Sequence, residues 1–166
     1  MAEAKTIAHK DPALPPPIEL PEGAEWVSAL KVFDGQTAET LFAAARTLYP
    51  HRLPAGIYRR VVAIFDRLAA QSPSIAERLG ECVVLLDAGF PAPYRDRSEG
   101  YRIAALKAIE GTAAFRLLQR LTVRHLYDDA EVWAAFGYEG ASYHLGGYVR
   151  RGFDDLDWLP DIPPDS

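Results

Sequence analysis

Residues 54–89 read PAGIYRRVVAIFDRLAAQSPSIAERLGECVVLLDAG, and this stretch decides the fold. Ile57, Val61, Ile64, Phe65 and Leu68 fall at i, i+4, i+7, i+8 and i+11, the spacing of one helix face. Pro54 suits the first turn, where a missing N–H is no loss. Ser72-Pro73 stops this helix and starts another, because serine caps a helix and proline fits its first position. Ile75, Leu79, Cys82, Val83 and Leu86 repeat the same face, and Gly89 stands where a C-cap glycine is expected. Two amphipathic helices joined by so short a turn must bury their faces against further helices.

Working outward, a helix is expected over 37–49, with Asp34-Gly35 as the turn before it and Pro50 as its stop. Leu41, Ala45, Leu48 and Tyr49 share its face. After the loop PAPYRDR, Ser98 is placed to cap a fourth helix with Ile103, Leu106 and Ile109 inward. Gly111-Thr112 breaks or bends the chain before a fifth helix that runs to Tyr127. A short helix over 130–136 ends at Gly137. Convincing alternation of a strand is missing, and so is an internal repeat. The expected fold class is all-α: a helical bundle of about five to six helices with an extended Pro-rich N-terminal arm and an irregular Gly/aromatic C-terminal tail. Pro12, Pro15, Pro16, Pro17 and Pro21 mark the arm, and Pro160, Pro163 and Pro164 mark the tail. The expected organisation is therefore 1–29 as arm, 30–136 as bundle and 137–166 as docking tail.

The chain has 166 residues, 49% hydrophobic and 25% charged, with a net charge of −5. That is one ordinary globular domain with no call for nucleic acid or an anionic membrane. A chain of this size buries roughly 70% of its unfolded surface, enough for a core without staples. Its single cysteine excludes an internal disulfide and a Cys-rich metal site. No stretch approaches the roughly 20 apolar residues of a membrane span. The first residues, MAEAKTIAHKDPALPPP, have no apolar core and no paired arginines, so they do not read as a signal peptide. The expected location is cytoplasmic as sequenced, or periplasmic if a partner with a signal carries the chain out.

Residues that could carry chemistry are few. His125 shares a helix face with Phe115, Leu118, Leu121 and Thr122, which reads first as a core histidine satisfied by a backbone carbonyl. An enzymatic reading would pair it with Asp128 or Asp129, although these carboxylates suit a helix end and a helix start better. His9, His51 and His144 have no ligand spacing to it or to each other, so no metal site is expected. Cys82 lies on an apolar face and reads as inert. Gly146-Gly147 is too short for a dinucleotide fingerprint. Arg116, Arg120 and Arg124 form a ridge opposite the apolar face of their helix, which reads as a solvated face or a strip for an acidic partner.

The segment 137–161, GYEGASYHLGGYVRRGFDDLDWLPD, is the least ordinary. Residues 137–152 hold five of the twelve glycines, and 127–158 hold eight of the eighteen aromatic residues. Rings and arginine are enriched at binding hot spots. Tyr138, Tyr143, Tyr148, Arg150, Arg151, Phe153, Asp154, Asp155 and Trp158 are therefore the expected partner-binding residues. The competing reading folds this tail over an open groove of its own bundle.

The stretches LKVFDGQTAETLFAAARTLYP, IYRRVVAIFDRLA and FRLLQRLTVRHLYDDAEVWAAFGYEG together resemble the gluconate 2-dehydrogenase subunit 3 family. The resemblance spans about 30–158 and is loose in the front half, more distinctive in the back. Many family members begin with a twin-arginine signal and end with a glycine-asparagine element and a tryptophan. This chain has neither the signal nor the glycine-asparagine element. The resemblance implies a non-catalytic small subunit of a flavin-dependent, glucose-methanol-choline-type sugar or glycoside dehydrogenase. It would support the folding, stability or export of a large catalytic chain that holds FAD, with no cofactor on the small chain itself. A cytochrome c electron acceptor is among the implied partners of such a complex. The alternative from the residues alone is a free-standing helical adaptor.

Overall fold

The structure, a computed structural model, describes residues 18–138. The described residues contain six α-helices and no strand: α1 (Gly35–Leu48), α2 (Ala55–Gln71), α3 (Pro73–Asp87), α4 (Glu99–Ile109), α5 (Ala113–Leu126) and α6 (Ala130–Ala135). The chain is an all-α bundle. One 3-10 helix, Gly23–Ala29, precedes α1, and another, Tyr94–Asp96, lies between α3 and α4. No helix among the described residues is long and apolar enough to cross a membrane.

Helix α2 is the centre because it is apolar on the face expected from 54–89. Ile57, Val61 and Phe65 are buried there, and α2 packs on α1, α3 and α5. Helix α3 presents Leu79, Cys82, Val83 and Leu86 to the same core. Burial of each large aliphatic or aromatic side chain contributes about 1.5–3 kcal/mol, so these faces set the packing.

The helix ends follow local chemistry. Asp34 caps α1, its Oδ1 accepting from the Thr37 N–H at 2.7 Å. Thr112 caps α5 in the same way through Phe115 N, so Gly111-Thr112 breaks the chain rather than bending it. Gly89 follows the end of α3 with φ +74°, the left-handed conformation that glycine adopts without a Cβ clash.

Four local expectations are corrected. Ser72 and Ser98 precede α3 and α4 but make no side-chain cap; the Ser72 hydroxyl instead meets that of Ser74. Ile103 is 39% exposed, because the core side of α4 is set by Leu106 and Ile109. The loop PAPYRDR is not a bare connection. Its Tyr94 is fully buried, and Arg97 donates to the carbonyls of Ala92 and Asp87 at 2.9 Å each, closing the end of α3. The proposed arm over 1–29 is not extended throughout. Gly23–Ala29 is a 3-10 helix whose Trp26 is fully buried, with its indole N–H on Glu39 at 2.9 Å, so the core reaches back past residue 30.

Asp66 ties this front segment down. Its carboxylate accepts the backbone N–H groups of Lys31, Val32 and Phe33 at 2.8–2.9 Å. A helix side chain thereby supplies the hydrogen bonds that an irregular, partly buried backbone must find.

Candidate functional site

Three helices end at one corner of the bundle. The residues that close α1, α5 and α6 are Tyr49, Tyr127 and Phe136, and all three are aromatic. His51, in the loop after α1, joins them. Its Nε2 lies 2.6 Å from the Tyr127 hydroxyl, and its ring meets those of Tyr127 and Phe136 edge-on at 5.7 and 5.1 Å. Tyr49 meets Tyr127 edge-on at 6.1 Å. Edge-on contact brings the positive ring edge to the negative face of its neighbour, which fixes the rings relative to one another.

Two further rings extend the corner. The Trp133 indole N–H donates to the Tyr127 carbonyl at 2.6 Å, and the Trp133 ring meets that of Tyr138 edge-on at 5.5 Å. Tyr127 packs on Phe136 and Tyr138 on Trp133, yet Tyr127, Phe136 and Tyr138 remain 38%, 52% and 46% exposed. Trp133, bonded to the Tyr127 carbonyl and packed on Tyr138, links these exposed rings. Contiguous exposed rings are the signature of an interaction surface rather than of a finished core.

The corner is held in place by Arg60 and Asp129. The Arg60 guanidinium contacts the Asp129 carboxylate at 2.8 Å and that of Glu131 at 3.1 Å. Burial opposes the charge on Arg60, but the hydrogen bonds and charges of Asp129 and Glu131 outweigh it and raise the guanidinium pKa. Asp129 also caps α6 through Glu131 N at 2.9 Å. Asp129 therefore starts a helix, as its position in the sequence suggests, and is committed to Arg60 rather than to a histidine.

His125 lies apart from that arrangement. Leu118, Leu121, Thr122 and Leu126 take the core face of α5, and His125 is half-buried at its edge. Among the described residues it has no side-chain hydrogen bond, to a backbone carbonyl or otherwise. Burial lowers its pKa, Arg124 lowers it further, and Asp128 pulls it back. Cys82 is buried in the core, where the loss of hydration pushes its thiol up to about 12; it is no nucleophile at neutral pH. Arg116, Arg120 and Arg124 are exposed, as a surface ridge should be. No His, Cys, Asp or Glu cluster able to hold a metal occurs among the described residues.

Of the expected partner-binding residues, Tyr138 belongs to the aromatic corner. Tyr143, Tyr148, Arg150, Arg151, Phe153, Asp154, Asp155 and Trp158 lie outside the described residues. The sequence reading missed His51, Tyr49 and Tyr127 as members of one site. The available signal was that helices α1 and α5 both end in tyrosine, but nothing in the sequence says that the two ends meet. Comparison with protein-family models, curated proteins and solved structures finds no match for this chain.

Proposed function

We propose that the chain is a non-catalytic small subunit of a flavin-dependent, glucose-methanol-choline-type sugar or glycoside dehydrogenase. In this reading it supports the folding, stability or export of the large chain that carries FAD and the reaction. The observation that carries it is the exposed corner of Tyr127, Phe136 and Tyr138, from which the aromatic and glycine-rich segment 139–166 continues. Such a surface is suited to burying rings against a larger body. The family resemblance of the sequence supplies the kind of body. The buried, unreactive Cys82 and the engaged Asp129 fit a binding role better than a catalytic one.

The test is to purify the chain alone and with its native partners, and to record flavin absorbance and dehydrogenase turnover of each. The chain alone should be colourless and inactive, and the complex yellow and active. A yellow, active monomer would make it an enzyme in its own right. A complex without flavin would favour the adaptor reading.

A further inference from the structure

A cleft of about 480 Å³ opens beside the aromatic corner, between α1, the 50–53 loop, the 3-10 helix Tyr94–Asp96 and the start of α4. Arg46, Arg52, Arg95 and Arg102 line it, against the carboxylates Glu39, Asp96 and Glu99. Two of those carboxylates have engagements of their own. Glu39 accepts the Trp26 indole N–H, and Asp96 lies 3.7 Å from Arg95 Nε. Among the described residues, Arg46, Arg52 and Arg102 form no ion pair.

Arg102 is the telling member. Its Nε is buried and has no hydrogen-bond partner. The hydroxyl of Tyr94 is also buried, beside Thr47, and Arg102 is close enough to act on it electrostatically. A buried charged donor without an acceptor costs free energy, and three guanidinium groups without an ion pair among the described residues favour an oxyanion in the cleft. A guanidinium fork matches a carboxylate. The three acidic side chains in the walls disfavour a dianion such as phosphate more than a single negative charge.

The cleft adjoins the corner, because His51 lines the one and meets Phe136 edge-on in the other. We propose that the cleft receives a carboxylate side chain from an acidic, extended segment of a partner protein, whose adjoining apolar residues cover Tyr127 and Phe136. This rests on the reading of the corner as a docking surface and adds the chemistry of what docks there.

The experiment titrates the full chain with the peptide acetyl-Gly-Asp-Glu-Asp-Gly-Leu-Phe-amide, and with the same peptide carrying Asn and Gln for Asp and Glu. The arginine Nε–Hε NMR signals are followed, and affinity is read by fluorescence anisotropy. The acidic peptide should shift the Arg102 signal saturably, and the amide peptide should bind roughly tenfold more weakly or worse. Arg102→Gln should lose a similar factor, Arg102→Lys less, and Arg116→Gln on the exposed ridge should stay within about twofold of wild type. Should Arg102→Gln fold poorly, Arg52→Gln in the exposed loop carries the same expectation. Absence of a saturable Arg102 shift overturns the proposal, as does an equal loss in Arg116→Gln, which would mean diffuse charge attraction. If Phe136→Asp abolishes partner binding while Arg102→Gln leaves it intact, the cleft is wrong and the docking corner stands.

Discussion

Arg60 Nε and Nη2, on α2, both donate to one carboxylate oxygen of Asp129, at 2.9 and 2.8 Å. The pair joins the central helix of the bundle to the first turn of α6. Through α6 it fixes where Trp133 and Phe136 stand, and so where the exposed rings stand.

Asp129→Ala is expected to lower stability by about 2 kcal/mol, read by urea unfolding. The lost cap of α6 accounts for about half of this. The rest comes from a guanidinium that is only 14% exposed and keeps Glu131 as its remaining partner. Arg60→Met should cost less, since the cap survives. A double-mutant cycle giving no coupling between the two would show that the pair holds nothing.

Asp66→Ala is expected to cost about 3 kcal/mol, because it strands three backbone donors at once. Asp66→Asn should cost about half as much. Its one oxygen can still serve Val32 and Phe33, which share Oδ1, while its NH₂ group would face the Lys31 N–H. Equal losses in the two variants, again by urea unfolding, would contradict this division.

The faces of α2 and α3 were legible because their apolar residues keep a 3.6 period without interruption. Gly89 was legible because a left-handed glycine acts within a few residues of itself; Asp34 and Thr112 marked helix boundaries without being read as caps, while Ser72 and Ser98, read as caps, make none. Asp66 was not. It stands in the same α2 pattern as any solvated aspartate, and its partners lie more than thirty residues away in sequence. Trp26 was hidden for a related reason: five nearby prolines read as an arm, while its burial depends on α1. His125 misled because the helical wheel gives an angle, not the side from which α2 and α3 approach.

His125 gives the chain a slope of stability with pH. Its pKa is lowered by burial and by Arg124, with Asp128 opposing, from an ordinary value of 6.5. Between the two values the unfolded chain binds the extra proton, so the native state weakens as pH falls below about 6.5 and is unaffected well above it. His125→Gln should flatten this part of the profile, measured by unfolding between about pH 7 and 5. At pH 7 the substitution should cost less than about 1 kcal/mol, since the ring is half-buried and has no hydrogen bond among the described residues. An unchanged slope would contradict the assigned shift.

Under the proposed function, the aromatic corner is the surface that docks on a flavoprotein. The most direct measurement is native isolation of the tagged chain from its own cells, wild type beside Phe136→Asp, with the absorbance spectrum and the co-isolated chains recorded for each. Circular dichroism of both establishes that the bundle is intact. The expected result is that wild type brings down a larger chain with a flavin spectrum in fixed proportion. Phe136→Asp, equally helical, should come down colourless and alone. Wild type isolated without flavin, or Phe136→Asp retaining the full flavin signal, would contradict the account.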